Sequence, residues 1–160
     1  MGQLNVTNAN ITGTITKPSQ CAFLVHLDQA RTLQGTGVYL WNASSALNGN
    51  YFTSVDYNIG SHFNTGTSEF TAPESGLYHW WSILATTNTA SAQNYTSTEY
   101  YINDVRSGKH GWQEMAAGYQ QWHGHDVMKL TKGDVVTFGG ETHATCTFSN
   151  QSSIGMYFLG

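Results

Sequence analysis

His123, Gly124 and His125 place two imidazoles one residue apart. On an extended strand, successive side chains point to opposite faces. Counted back from Leu130, one face takes Gly124, Asp126, Met128 and Leu130, and the other takes His123, His125, Val127 and Lys129. If Leu130 points into a core, both histidines point away from it. Two neutral imidazoles on one face are ligands suited to Zn, Ni or Fe. The plainer structural role is a polar strand end hydrogen-bonded to its neighbours.

Catalytic arrangements around these residues fit less well. The G-x5-H-x-H-x3,4-E motif of cupin metalloenzymes needs its glycine one position before Gly118, and Lys129 and Leu130 stand where its glutamate belongs. The sequence has no G-x-S-x-G elbow and no H-E-x-x-H motif. Asp126 can orient the His125 ring, but no nucleophile is placed beside it. Glu69, Glu74, Glu99, Glu114 and Glu141 fall on separate elements. A carboxylate pair of the glycosidase kind would have to be assembled by the fold.

Five Trp and nine Tyr are many for 160 residues, and most should serve packing. Trp80 and Trp81 are neighbours on one strand, so they face opposite sides; Tyr78 goes with Trp80, and His79 with Trp81. Trp112, Tyr119 and Trp122 sit among Gly, Gln and His, and Tyr95 sits in a Ser/Thr/Asn-rich stretch. These four are the candidates for exposed platforms that stack on a sugar or anchor a partner.

The elements that must position these groups are strands. Short β-branched and aromatic runs recur between Gly, Asn and Ser clusters, and helix signals are nearly absent. Strands are expected at 22–27, 38–41, 52–57, 68–72, 77–86, 98–102, 112–116, 127–130, 135–139, 144–148 and 154–159. Asn103-Asp104 and Ser107-Gly108 punctuate a hairpin region, and Lys132-Gly133-Asp134 makes a turn.

Composition narrows the function classes. Charged residues are 10% of the chain, against roughly 25% in an average protein. The polar surface must therefore be Ser, Thr, Asn, Gln and Gly, which suits an extracellular or virion surface. The net charge is -4 with six Lys and Arg, so no basic face exists for nucleic acid. No apolar run approaches the ~20 residues that span a membrane, and residues 1–5 lack the regions of a secretory signal. Five N-x-S/T sequons, at Asn5, Asn10, Asn42, Asn94 and Asn150, arise easily in a chain this rich in those residues. Cys21 and Cys146 read either as two small buried hydrophobes or as a pair joined by neighbouring strands. Residues 1–20 hold sparse apolar side chains and many Asn and Thr, so alone they cannot bury enough surface to order themselves. They read as a stalk or linker, and residues 21–160 as one domain.

The phrase F-N-x5-F-T-A-P-x-x-G-x-Y-x-W, from Phe63 to Trp80, resembles the signature of C1q/TNF-like domains. Cys21-Ala22-Phe23-Leu24-Val25 resembles that family's opening strand. Tyr101-Ile102-Asn103 resembles the strand ending in its asparagine. Met128 to Asp134 matches its L-x-L-x-x-G-D phrase, and Ser153 to Leu159 its closing strand. The order and spacing of these phrases carry the resemblance over most of residues 21–160. The family usually has Gly two residues before the second phenylalanine; Ser68 stands there, and the nearby Gly66 is expected to make the turn.

The resemblance implies an all-β, ten-stranded jelly-roll sandwich that forms homotrimers, binds and does not catalyse. It puts the His123–His125 strand beside the threefold axis, where three copies of each imidazole could hold a transition-metal ion. Neither the collagenous stem of C1q proteins nor the membrane anchor of TNF ligands is present in the sequence. The stalk-like segment is instead similar in texture to bacteriophage tail fibres. The expected role is a receptor-binding head that attaches a virion to a cell-surface glycan or protein. The alternatives are a secreted C1q-like ligand or lectin of a cellular organism, and a small jelly-roll carbohydrate-active enzyme.

Overall fold

The computed structural model describes residues 20–33, 37–41, 51–88, 94–115, 118–143 and 145–160, with backbone alone at 88, 94 and 109–115. The stalk assigned to residues 1–20 lies outside these, apart from its last residue, as does the Trp112 side chain.

Alternation builds the molecule. Thirteen strands are present: β1 (Ala22–Leu27), β2 (Arg31–Leu33), β3 (Gly37–Leu40), β4 (Phe52–Ile59), β5 (Phe63–Asn64), β6 (Glu69–Thr71), β7 (Gly76–Asn88), β8 (Asn94–Ile102), β9 (Val105–Met115), β10 (Gly118–Leu130), β11 (Val135–Thr142), β12 (Cys146–Phe148) and β13 (Ser153–Phe158). They form two antiparallel sheets packed face to face, a jelly roll, and no helix occurs among the described residues. Thirteen segments exceed the eleven read from the sequence because β2 and β5, three and two residues long, add to them. Runs that short carry no periodicity to read.

One sheet runs β4-β1-β13-β7, with β10 on the far edge of β7 along its whole length. The near edge of β7 is shared by β13 and, towards Asn88, β12 with β2 beyond it. The second sheet runs β5-β6-β11-β8-β9, with β3 also on β11. The core lies between them. Phe23 stacks on Phe63 at 4.5 Å, Trp80 packs on Phe138 at 5.6 Å, and Tyr78 meets Phe70 edge-on at 5.6 Å.

The turns explain the signature phrases. Asn58 clamps the Phe63 backbone from both sides, donating to its carbonyl at 2.7 Å and accepting from its N–H at 3.2 Å. Ser68, not Gly66, takes the left-handed conformation at the next turn, with φ 57°. That corrects the expectation for Gly66 and shows why glycine suits this position. Gly76 is required by proximity: a Cβ there would stand 2.6 Å from the Gly160 carbonyl oxygen and from the Phe158 ring. Asn103 and Asp104, with φ 50° and 65°, make the two-residue β8–β9 turn. Asp134 ties this turn to the next one. Its carboxylate accepts from Thr131 N–H at 2.8 Å and from Asn103 Nδ2 at 2.9 Å, while Asn103 Oδ1 accepts from Val135 N–H at 2.9 Å.

Candidate functional site

The strand that carries the histidines is far longer than 127–130. β10 extends back to Gly118 and pairs with β7 residue for residue, from Gly118 opposite Asn88 to Leu130 opposite Gly76. Its first half intersperses Tyr119 and Trp122 with Gln, His and Gly, which breaks up the strand signal; pairing to β7 overrides that local composition. Along β10, Trp122, Gly124, Met128 and Leu130 are buried, while His123, His125, Val127 and Lys129 are exposed. Gly124 fits the demand of its inward face. A Cβ there would meet Ser82 Oγ at 2.9 Å and the Trp80 ring at 3.2 Å. The His-Gly-His spacing thus combines a tight inward contact with two outward imidazoles.

The outward face of this sheet is rich in aromatic side chains. Register sets His79 of β7 opposite Val127 and Tyr157, and Trp81 opposite His125 and Gly155. The His79 ring lies 5.1 Å from Tyr157, 6.1 Å from Trp81 and 6.4 Å from His125, centroid to centroid. Trp81 lies across Gly155, and a Cβ at Gly155 would stand 2.2 Å from the indole. Leu24 and Tyr57 carry the face across β1 to the β4 edge. Tyr157 is 40% exposed, Val127 47% and Tyr57 39%. His79 Nδ1 is buried with no hydrogen-bond partner among the described residues. Of these residues, the sequence reading placed His79 and Trp81 on the outward face but missed Tyr57 and Tyr157. The cross-strand register that gathers them leaves no local mark.

The four aromatic candidates separate. Tyr119 is exposed at the start of β10, donating to Gln151 Oε1 at 2.5 Å. Tyr95 is exposed on the other sheet, edge-on to the His143 ring at 6.4 Å. Trp122 is 2% exposed and belongs to the core, which corrects its assignment as a binding platform. Alternation puts it on the Leu130 face, whatever the polarity of its neighbours. The Trp112 side chain lies outside the described residues.

A second cluster was not legible in the sequence. The buried Glu99 carboxylate accepts from Ser97 Oγ at 3.1 Å, from Tyr101 OH at 2.8 Å and from the Arg106 guanidinium. Arg106 also reaches Glu141 Oε2 at 3.4 Å, and His143 Nε2 lies 3.2 Å from Glu141 Oε1. Burial, with Glu99 beside it, pushes the Tyr101 hydroxyl up to about 12. Two carboxylates clamped by one guanidinium form a structural tie between β8, β9 and β11. Cys21 and Cys146 are both buried and free, and burial raises both thiols, Cys146 to about 11. Among the described residues, no three His, Cys, Asp or Glu side chains of one chain converge as a metal cage.

The family model for the C1q domain matches residues 36–160. No curated protein matches the chain in sequence. Among solved structures, the chain is similar to murine APRIL at pH 5.0, with a TM-score of 0.60 and 10% identity, over 88% of this chain and 99% of that one. It is similar to the Eiger TNF of S. frugiperda, with a TM-score of 0.61 and 10% identity, over 89% and 94% of the two chains. It is also similar to the globular domain of zebrafish complement 1qA, with a TM-score of 0.55 and 15% identity, over 87% and 96%. At these identities the likeness is one of fold.

Proposed function

The chain belongs to the C1q-domain family, and from that premise we propose that it is a non-enzymatic recognition module working as a homotrimer. It acts outside the cell or on a virion surface. The outward face of the β10-bearing sheet is the self-association surface. The observation that carries this reading is the apolar face of Tyr57, Val127 and Tyr157, exposed on a single chain around a half-buried Trp81. A contiguous apolar patch of this kind marks an interaction site. Scarce charge and abundant Ser, Thr and Asn support an exterior location.

The finer reading is the receptor-binding head of a fibre that attaches to a cell-surface glycan or protein. The Asn/Thr-rich residues 1–20 support it, as a stalk preceding the domain. Trimeric display multiplies weak contacts, so the individual site need not be deep. Tyr119 and Tyr95 are the candidate contacts, since both expose an aromatic ring. The second reading, a secreted C1q-like ligand or lectin, is favoured by the animal origin of the similar structures.

A glycan array combined with binding to intact cells tests recognition. Tyr119→Ala or Tyr95→Ala should weaken binding without changing the fold. Incubation with cell-surface polysaccharide tests the absence of catalysis; sustained shortening of the polymer would overturn the non-enzymatic reading.

A further inference from the structure

His79 and His125 stand diagonally across β7 and β10, since His79 opposes Val127 and His125 opposes Trp81. Diagonal neighbours on one face of an antiparallel pair are within reach of aromatic and long side chains. The two rings are 6.4 Å apart, centroid to centroid, and tilted by 36°. His79 is held in place by Tyr157 at 5.1 Å and by Trp81, nearly parallel, at 6.1 Å. Its Nδ1 is shut from solvent and has no hydrogen-bond partner among the described residues. A buried polar atom left without a partner is costly, which calls for a reason. A half-turn of the ring exchanges Nδ1 with Cδ2 and Nε2 with Cε1.

We propose that His79 and His125 form a two-imidazole site for a borderline transition-metal dication such as Zn²⁺. A Zn–N bond of about 2.0–2.1 Å sets the ion ~3.2 Å from each ring centroid, so two rings ligating at a tetrahedral angle sit ~5.2 Å apart. The observed 6.4 Å is wider than that, so a rotation of the exposed His125 side chain must bring the rings together as the ion binds. Imidazole pairs favour Zn²⁺, Cu²⁺ and Ni²⁺ over Mg²⁺ and Ca²⁺, which take oxygen. Water or an anion completes the coordination. The pair moves the site from His123–His125, neighbours along one strand, to two strands locked in register. Both ligands come from one chain, but they lie on the face assigned above to self-association, so the site borders that interface, and the oligomeric state must be read alongside metal uptake.

The test is isothermal titration of the EDTA-treated full chain with ZnCl₂, alongside Co²⁺ absorption spectra and light scattering. The wild type should take up one Zn²⁺ per chain. His125→Ala, on the exposed side, should weaken uptake by at least about tenfold, as loss of a ligand does. His79→Ala should do the same while its thermal melt shows a folded protein, and His123→Ala should leave the titration unchanged. No uptake by the wild type, or uptake insensitive to His125→Ala, would overturn the site. Uptake lost with His123→Ala but kept with His79→Ala would overturn it too, by assigning the ion to the His123–His125 pair. Light scattering on the same samples reports the oligomeric state separately.

Discussion

Trp81 lies flat over Gly155 on the neighbouring strand, so close that a Cβ on Gly155 would stand 2.2 Å from the indole. Tyr157, two residues on, lies 6.0 Å from the same indole. The missing side chain at Gly155 lets the largest aromatic of the face lie along the sheet instead of standing up from it. A flat aromatic surface is what a second copy can pack against.

Gly155→Ala should therefore lift Trp81 out of its position. The core lies on the other side of the sheet, so the chain should still fold, at a loss of about 1–3 kcal/mol from overpacking. Self-association should fall sharply. Light scattering and a thermal melt on the same sample check both; an unchanged oligomer would contradict the role of the face.

Ser68 holds a left-handed backbone, φ 57°, and buries a hydroxyl with no hydrogen-bond partner among the described residues. Left-handed strain in an L-residue is worth about 1–2 kcal/mol, partly offset by the greater chain entropy of glycine. Ser68→Gly should raise stability by about 1 kcal/mol, read as a higher urea midpoint at unchanged slope. Ser68→Val should lower it.

These two positions show what the sequence could and could not convey. Alternation counted from Leu130 assigned the faces of β10 because one buried anchor fixes every second residue. The same count would have buried Trp122, but its Gln and His neighbours pointed to a loop. Asn103-Asp104 was legible as a turn because its chemistry is local. Ser68 stood at the family's glycine position, but a serine does not by itself announce a left-handed backbone, so the sequence pointed to the nearby Gly66 for the turn. The Glu99–Arg106–Glu141 cluster and the His79–His125 approach depend on register between strands distant in the chain, which no local pattern encodes.

Glu99 is fully buried and takes hydrogen bonds from Ser97, Tyr101 and Arg106. The Arg106 side chain is 42% exposed, so its removal should cost less than breaking a wholly buried pair. Arg106→Met should destabilise by about 1–3 kcal/mol. Adding Glu99→Gln should recover part of this, and a double-mutant cycle in urea measures the coupling.

The Asp134 carboxyl is held below its ordinary value by hydrogen bonds from Thr131 N–H and the Asn103 amide. The folded value is the lower one, so its stabilisation is full above the unfolded value of about 3.9 and fades as pH falls towards the folded value. Urea midpoints should drop between pH 6 and pH 3. Asp134→Asn should reduce that drop while lowering stability at pH 6; an identical acid loss in the variant would contradict this.

Sedimentation equilibrium of the wild-type chain tests the trimeric recognition module most directly. The expected result is a single species of three times the 17.6 kDa chain mass, stable on dilution through the micromolar range. A folded chain that remains a monomer at those concentrations would contradict it, because the aromatic face would then lack the partner its composition demands.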